Sequence, residues 1–273
     1  MVRTRDNLLI IGVAALLIKT LFVEIGFGQS SDLPRPYEGY YLYLDSYPDN
    51  NHPSWGDNGD LTNGIAHDDG NWYISAGGSD IFGAPDNTWV IWRIPVSEAL
   101  NQDFSNNTAV TTVHLDNILE LKNLRYGHVG DLDTYRYNGT DYLLVPLTGY
   151  PLYDSNLQPI PGTTPSPAIG VFRAATLSFS GYATLSAQTG AGWCAVSPDG
   201  DLVTSDNHTS TFLRYEVPWG SLASSENIGQ FSLTLKSSHS LRDEFGDDLF
   251  LNHMQGGEFT PSGEQLYVNC GIF

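Results

Sequence analysis

Short apolar stretches separated by turn residues recur along most of this chain, and such stretches are typical of β-strands rather than helices. Four segments share one plan, in which an apolar stretch runs into a turn that ends in glycine and a second apolar stretch follows. The four turns end at Gly70, Gly139, Gly200 and Gly263. Because tight hairpin turns need residues that accept positive φ, each segment predicts a hairpin of two strands.

The four hairpins are evenly spaced. When Ala66, Leu132, Val196 and Phe259 are placed in register, their separations are 66, 64 and 63 residues. Two more strand-like stretches follow each of the first three hairpins, which makes four strands per repeat. Four-stranded units repeated around an axis are the blades of a β-propeller. The sequence therefore predicts an all-β fold, a β-propeller of four-stranded blades with repeats of about 64 residues.

The fourth repeat is shorter than the others, since the sequence reaches Phe273 only ten residues after Gly263. We expect an incomplete propeller, with three full blades and the first hairpin of a fourth, in preference to a closed four-bladed ring. The N-terminal segment 29–59 contains an aromatic, apolar stretch at 37–44 that is a candidate for a closing strand. The blades are predicted to occupy residues 60–273.

The first 28 residues differ in kind from the rest. Arg3 and Arg5 precede an apolar run at 8–18, which has the length of the central region of a signal peptide. We expect residues 1–28 to be a cleaved signal peptide and the mature chain to be extracellular or periplasmic. The alternative is an uncleaved signal anchor at 8–27, and no other segment is expected to enter a membrane.

Composition narrows the possible partners. The chain has 28 glycines, 15 prolines and a formal net charge of −19. The segment 1–28 contains three basic and two acidic residues, so the rest of the chain has a net charge near −20. A strongly negative surface repels a phosphate backbone, which argues against a nucleic acid partner. Cys194 and Cys270 are the only cysteines. Either one disulfide or two buried thiols is compatible with their apolar surroundings.

Two of the turns carry a further pattern. Ser-Pro-Asp-Gly at 197–200 and Thr-Pro-Ser-Gly at 260–263 each precede a strand that ends in a small polar residue. This pattern resembles the repeats of TolB-like and lactonase-like propellers, over residues 60–273 and at the level of the repeat. The resemblance implies a bladed fold outside the cytoplasm, in a group that includes binding proteins, lactonases and lyases. The turns that end at Gly70 and Gly139 depart from the pattern, because they lack the proline.

In a propeller the first strand of each blade lines the central channel, and the loops that lead into those strands form the mouth where ligands bind. Asp131 and Asp133 project from the same face of such a strand and are candidates to bind Ca²⁺ through their oxygens. The other interpretation is that both carboxylates accept hydrogen bonds from backbone amides.

The remaining candidates come from the same part of the other repeats. His128 and His253 are candidate metal ligands or an acid/base pair, and a structural role for either is the alternative. Glu258 is a candidate catalytic carboxylate, because a carboxylate inside a buried strand needs a partner. Trp193 is either a stacking platform for a sugar or a core side chain. Asn63 and Gln255 are candidate ligand-binding residues.

These features indicate a secreted ligand-binding or interaction β-propeller, with its site at the channel mouth and a small molecule, a glycan or a protein as its ligand. The alternative is a metal-assisted lactonase, hydrolase or glycan lyase that uses the same mouth. Beyond a possible Ca²⁺ ion, no cofactor is predicted, because the sequence has no phosphate-binding loop, HExxH motif or nucleophile elbow.

Overall fold

The computed structural model describes residues 9–10, 61–77, 89–98, 108–156 and 158–270. The predicted closing strand at 37–44, and all of the predicted signal peptide except residues 9–10, lie outside this part of the chain. The described residues form an all-β protein with few helical turns, which confirms the predicted all-β class. The strands are β1 (Leu9–Ile10), β2 (Leu61–His67), β3 (Asn71–Gly77), β4 (Val90–Pro95), β5 (Thr111–His114), β6 (Tyr126–Val129), β7 (Asp133–Tyr137), β8 (Thr140–Gly149), β9 (Ala168–Arg173), β10 (Ser178–Thr184), β11 (Ala195–Val196), β12 (Asp201–Thr204), β13 (Thr211–Glu216), β14 (Thr234–Ser240), β15 (Met254–Phe259) and β16 (Gln265–Cys270).

The described strands form four sheets, in which every pairing except that of β1 is antiparallel. The first sheet contains β2 to β5, and the third contains β11 to β14. In the second sheet, β8 pairs with both β6 and β7 on one side and with β9 on the other, and β10 follows. The fourth sheet is the hairpin of β15 and β16, to which β1 adds a short parallel pairing.

The predicted turns have the backbone geometry that their residues favour. Asn138 and Gly139 both have positive φ, at 48° and 78°, as a two-residue hairpin turn requires. In the first hairpin, the Asp68 carboxylate accepts the N–H groups of Gly70 and Asn71, at 2.8 and 2.7 Å. These local hydrogen bonds explain why the hairpins follow directly from the sequence.

Hydrophobic clusters fill the spaces between neighbouring sheets. Strand β8 illustrates the packing, because its side chains alternate between two clusters. Leu143 and Val145 pack with the first sheet, through residues such as Tyr73. Tyr142 and Leu144 pack with the third sheet on the opposite face. Another cluster joins the third sheet to the fourth, so the second and third sheets are buried on both faces.

Helices are a minor part of the described residues. A 3₁₀ turn at Leu115–Asn117 leads into α1 (Leu119–Asn123), and α2 (Trp219–Ser224) follows β13. No helix in the described ranges has the length and apolar character needed to cross a bilayer.

Candidate functional site

The first strands of the four sheets meet around Asp131. Strand β7 lies against β2 and β11, and β15 lies against both β11 and β2. Asp131 lies between β6 and β7, where its backbone bonds to the third sheet: its N–H donates to Gly192 at 3.0 Å, and its carbonyl accepts the Cys194 N–H at 3.2 Å. The side chain bonds elsewhere, since Oδ1 accepts the Ile65 N–H at 2.9 Å and the carboxylate also accepts the N–H of Gly257. Asp131 thus joins its own sheet to the other three.

Glycines make this close approach possible. A Cβ at position 64 would lie 2.4 Å from the Asp131 Cα, and one at position 256 would lie 2.7 Å from its Oδ2. A Cβ at position 130 would lie 2.2 Å from the Gly192 carbonyl oxygen. Gly64, Gly130 and Gly257 occupy the same place in the repeat, two residues before the aligned positions. Sequence reasoning missed these residues, although a glycine recurring at one place in a strand is an indication of close backbone contact.

Asp133 links the second sheet to the third. Its Oδ2 accepts the Val196 N–H at 2.6 Å, and its Oδ1 accepts the Thr134 N–H at 2.6 Å. Asp131 and Asp133 therefore both act as hydrogen-bond acceptors for backbone amides, which is one of the two interpretations that the sequence left open.

The carboxyl groups of Asp131, Asp133 and Glu258 influence one another's pKa. Burial raises the pKa of Asp131 to about 7, against the opposing effect of the N–H groups of Ile65 and Gly257, and the negative charge of Glu258 raises it further. Burial likewise raises the pKa of Asp133 to about 8, with smaller contributions from Glu258 and Asp131. Protons therefore occupy these sites at a pH where ordinary carboxylates are charged.

Glu258 differs from the sequence expectation in one respect. Its side chain is exposed rather than buried in the strand interior. It pairs across the hairpin with Tyr267, which is also exposed. Glu258 therefore needs no buried partner, contrary to the expectation from the sequence, because water solvates its charge. Its proximity to Asp131 and Asp133 nevertheless brings three predicted site residues together.

The structure places His128 and His253 in different surroundings. The His128 ring lies 5.0 Å from the ring of Trp89 in the first sheet, its Nδ1 is buried without a hydrogen-bond partner, and burial lowers its pKa. The His253 ring lies 4.6 Å from that of His208 in the third sheet. Each predicted site histidine thus has a ring partner that sequence reasoning did not identify.

Asn63 and Gln255 both lie at β-bulges. The pairing of β2 shifts between Thr62 and Gly64, and that of β15 shifts between Met254 and Gly256. A bulge redirects the side chain of the extra residue. Both residues directly precede a glycine that touches Asp131, so they flank the central site. Gln255 is exposed and Asn63 is half-buried.

Trp193 is a core side chain in this structure. It is fully buried, its Nε1–H donates to Ser205 Oγ at 2.9 Å, and its ring meets Phe212 edge to face at 5.2 Å. A Cβ at Gly257 would lie 2.3 Å from the indole ring. No face of the ring is open to a sugar, and the position matches the core alternative.

A second charged cluster lies on the third sheet and was not predicted from the sequence. Asp201 is buried in β12, and its Oδ2 accepts from Arg214 Nε and Nη2, each at 2.7 Å, and from Lys236 Nζ at 2.8 Å. The three residues come from adjacent strands of the sheet, β12, β13 and β14. Because no local pattern marks such a pairing across strands, only the register of the sheet identifies it.

The carboxylates of Asp131 and Asp133 can be compared with the ligands of a metal site. Among the described residues, no three His, Cys, Asp or Glu side chains lie close enough together to hold a metal ion. Ca²⁺ needs six to eight oxygen ligands, whereas the carboxylates of Asp131 and Asp133 face several N–H donors. The calcium site remains a prediction.

Comparison with known proteins adds no assignment, since the sequence matches neither a protein-family model nor a curated protein. Function must therefore be argued from the central site itself. Its exposed groups, Glu258, Gln255 and Ile65, offer a carboxylate, an amide and an aliphatic surface next to the junction of the four sheets.

Proposed function

We propose that the four sheets are blades of a β-propeller, with two four-stranded blades, a five-stranded second blade and the first hairpin of a fourth. We further propose that the chain is a secreted ligand-binding or interaction protein. One observation carries the proposal: Asp131 forms hydrogen bonds to residues in, or directly before, the first strands of the other three sheets. First strands that gather around one residue, with each sheet packed against the next, are the arrangement expected around a propeller axis.

We place the ligand site beside β15, along which Gln255 and Glu258 are exposed. Carboxylate and amide oxygens accept hydrogen bonds from hydroxyl groups, and the Ile65 side chain, 43% exposed, adds an apolar surface. The net charge of −19 repels anions over a long range. These properties favour a neutral polar ligand, and a glycan is the class that combines hydroxyl groups with apolar faces.

The test is binding of the purified chain to a glycan array, followed by calorimetry with any glycan that binds. The variants Glu258→Gln and Gln255→Ala change exposed groups of the site, and Glu264→Gln changes an exposed carboxylate in the turn between β15 and β16. We expect the first two to weaken binding at least tenfold and the third to bind as wild type. Equal binding by all three would refute this site, and so would the absence of binding to any glycan or small-molecule ligand.

The enzyme alternative, a metal-assisted lactonase, hydrolase or glycan lyase, is favoured by a different observation. Asp131 and Asp133 have pKa values raised to about 7 and 8, the range in which a carboxyl group can exchange protons near neutral pH. This alternative predicts that millimolar Ca²⁺ raises the melting temperature and that Asp131→Asn abolishes turnover of a lactone or glycan substrate. An unchanged melting temperature would remove the calcium ion from the proposal.

A further inference from the structure

Two histidine rings from different sheets meet at one end of the molecule. His208 lies in the connection between β12 and β13, and His253 lies directly before β15. Their ring centroids are 4.6 Å apart, and the ring planes cross at 73°. Because successive strands of a sheet are antiparallel, the β12–β13 connection and the entry to a first strand lie at the same end. The pair is therefore located where loops lead into the first strands.

Backbone hydrogen bonds hold the two segments together on both sides of the rings. Thr209 and Leu251 each donate an N–H to the carbonyl of the other, at 2.9 and 2.7 Å. The Met254 N–H donates to the Asn207 carbonyl at 2.9 Å. His208 thus lies between two anchored residues of its own segment, and His253 directly precedes a third. The relative position of the rings is set by the backbone, which is the preorganisation that a ligand site needs.

The hydrogen bond of His208 determines which of its nitrogens is available. Nδ1 lies 3.2 Å from Asn252 Oδ1. An amide oxygen only accepts, so with this amide orientation Nδ1 carries the hydrogen and Nε2 keeps its lone pair. His208 is exposed, which leaves this lone pair accessible. A ring nitrogen oriented by a hydrogen bond from the opposite nitrogen is the usual arrangement of a metal-binding histidine.

His253 has an unusual backbone conformation. Its φ is 51°, in the left-handed region that is unfavourable for a residue with a side chain. The residue after it is the buried Met254, whose N–H bonds to the third sheet. Left-handed residues of this kind concentrate at binding and catalytic sites, where the surrounding structure holds them. The His253 ring in this conformation contacts the ring of His208.

We propose that His208 and His253 bind a transition-metal dication of the Zn²⁺, Ni²⁺ or Cu²⁺ group through one nitrogen each. In a tetrahedral zinc site with Zn–N bonds of about 2.0–2.1 Å, the centroids of two imidazoles lie about 5 Å apart. The observed separation of 4.6 Å is close to this value. Imidazole suits these metals, whereas Ca²⁺ and Mg²⁺ prefer oxygen ligands.

The remaining coordination positions are available to water or to a ligand. In the described part of the chain, no third His, Cys, Asp or Glu side chain completes the group. Two protein ligands give a weaker site than the three or four of a structural zinc centre, and a site with open positions is accessible to an exogenous donor. This metal site uses different residues from the ligand site at Gln255 and Glu258, so the failure of one would leave the other standing.

The experiment is a titration of the untagged full chain with Zn²⁺ by calorimetry at neutral pH, with Cu²⁺ and electron paramagnetic resonance as a second measurement. The site variants are His208→Gln and His253→Asn, since asparagine tolerates a positive φ. The matched control is His114→Gln, an exposed histidine of β5. Circular dichroism and thermal unfolding without metal establish that each variant is folded.

We expect one Zn²⁺ per chain for wild type and for the control, and at least tenfold weaker binding for each site variant. Asn252→Ala releases the His208 ring and is expected to weaken binding about tenfold. The copper spectrum of wild type should show two nitrogen ligands, and that of either site variant should show fewer. Binding that is absent in wild type, or equal in the folded site variants and the control, would overturn the proposal.

Discussion

Replacing Asp131 with asparagine tests whether the centre of the molecule is held by this one side chain. The change keeps the shape of the side chain and removes one acceptor oxygen. Asp131 accepts N–H groups from Ile65 in the first sheet and Gly257 in the fourth. The amide NH₂ of asparagine would face one of these donors, and a polar group left without its partner costs about 1–3 kcal/mol. We expect this loss in the free energy of unfolding near pH 5, where the wild-type carboxyl group is also neutral.

The raised pKa of Asp131 also determines whether stability rises or falls with pH. The folded pKa of about 7 is above the usual value of 3.8, so the folded chain retains a proton that the unfolded chain releases. Wild-type stability therefore falls as the pH rises between these two values. From pH 5 to pH 7 the fall is about 2 kcal/mol, because the slope is about 1.4 kcal/mol per pH unit below the folded pKa and half of that at it. Asparagine does not titrate, so the penalty of Asp131→Asn should be about 3 kcal/mol smaller near pH 8 than near pH 5.

Urea unfolding followed by tryptophan fluorescence, near pH 5 and near pH 8, measures this difference. Glu264→Gln, which changes an exposed carboxylate, is the control and should alter stability by less than about 0.5 kcal/mol at either pH. A penalty that increases with pH would refute the reasoning, because it would mean that the N–H donors keep the carboxylate charged against the effect of burial. No penalty at either pH would refute the bridging role of Asp131.

Three further predictions test the surroundings of the site. Gly257→Ala places a methyl group 2.3 Å from the ring of Trp193, so it should lower the free energy of unfolding by about 1–3 kcal/mol, and an unchanged melting curve would contradict the close contact. Asp201→Asn leaves Arg214 and Lys236 without the charge of the buried Asp201 carboxylate, and denaturant unfolding should show a loss of about 1–3 kcal/mol. Both thiols, Cys194 and Cys270, are unpaired and buried, so an aromatic disulfide reagent should label them only after unfolding, and rapid labelling of the folded chain would show that one is accessible.

Local chemistry made the hairpins predictable. The turns at Gly139, Gly200 and Gly263 have positive φ in the structure, at 78°, 85° and 71°, and turn residues carry that requirement in the sequence itself. Apolar stretches likewise identified the strands of the two four-stranded sheets, whereas the second sheet has five strands, one more than the predicted four. The candidate carboxylates Asp131 and Asp133 were found because two acidic residues in an otherwise apolar strand are unusual.

The partners of those residues were not predictable in the same way. Glu258 was expected to be buried and is exposed. His253 was expected to act together with His128, and its ring instead contacts that of His208. Both outcomes depend on how one sheet is rotated against the next. The bulges at Asn63 and Gln255 are also unmarked in the sequence, although they decide which side chains reach the centre.

The sequence by itself determined the all-β class, the turns and the repeat, because these depend on φ preferences and on alternation between near neighbours. Only the tertiary structure decided that Asp131 accepts the N–H of Ile65, which is 66 residues away along the chain. That distance equals one repeat, so the bond joins adjacent sheets. Such contacts depend on the packing of whole sheets, on glycines that allow the backbones to approach, and on the burial that follows, and no short segment of sequence contains that information.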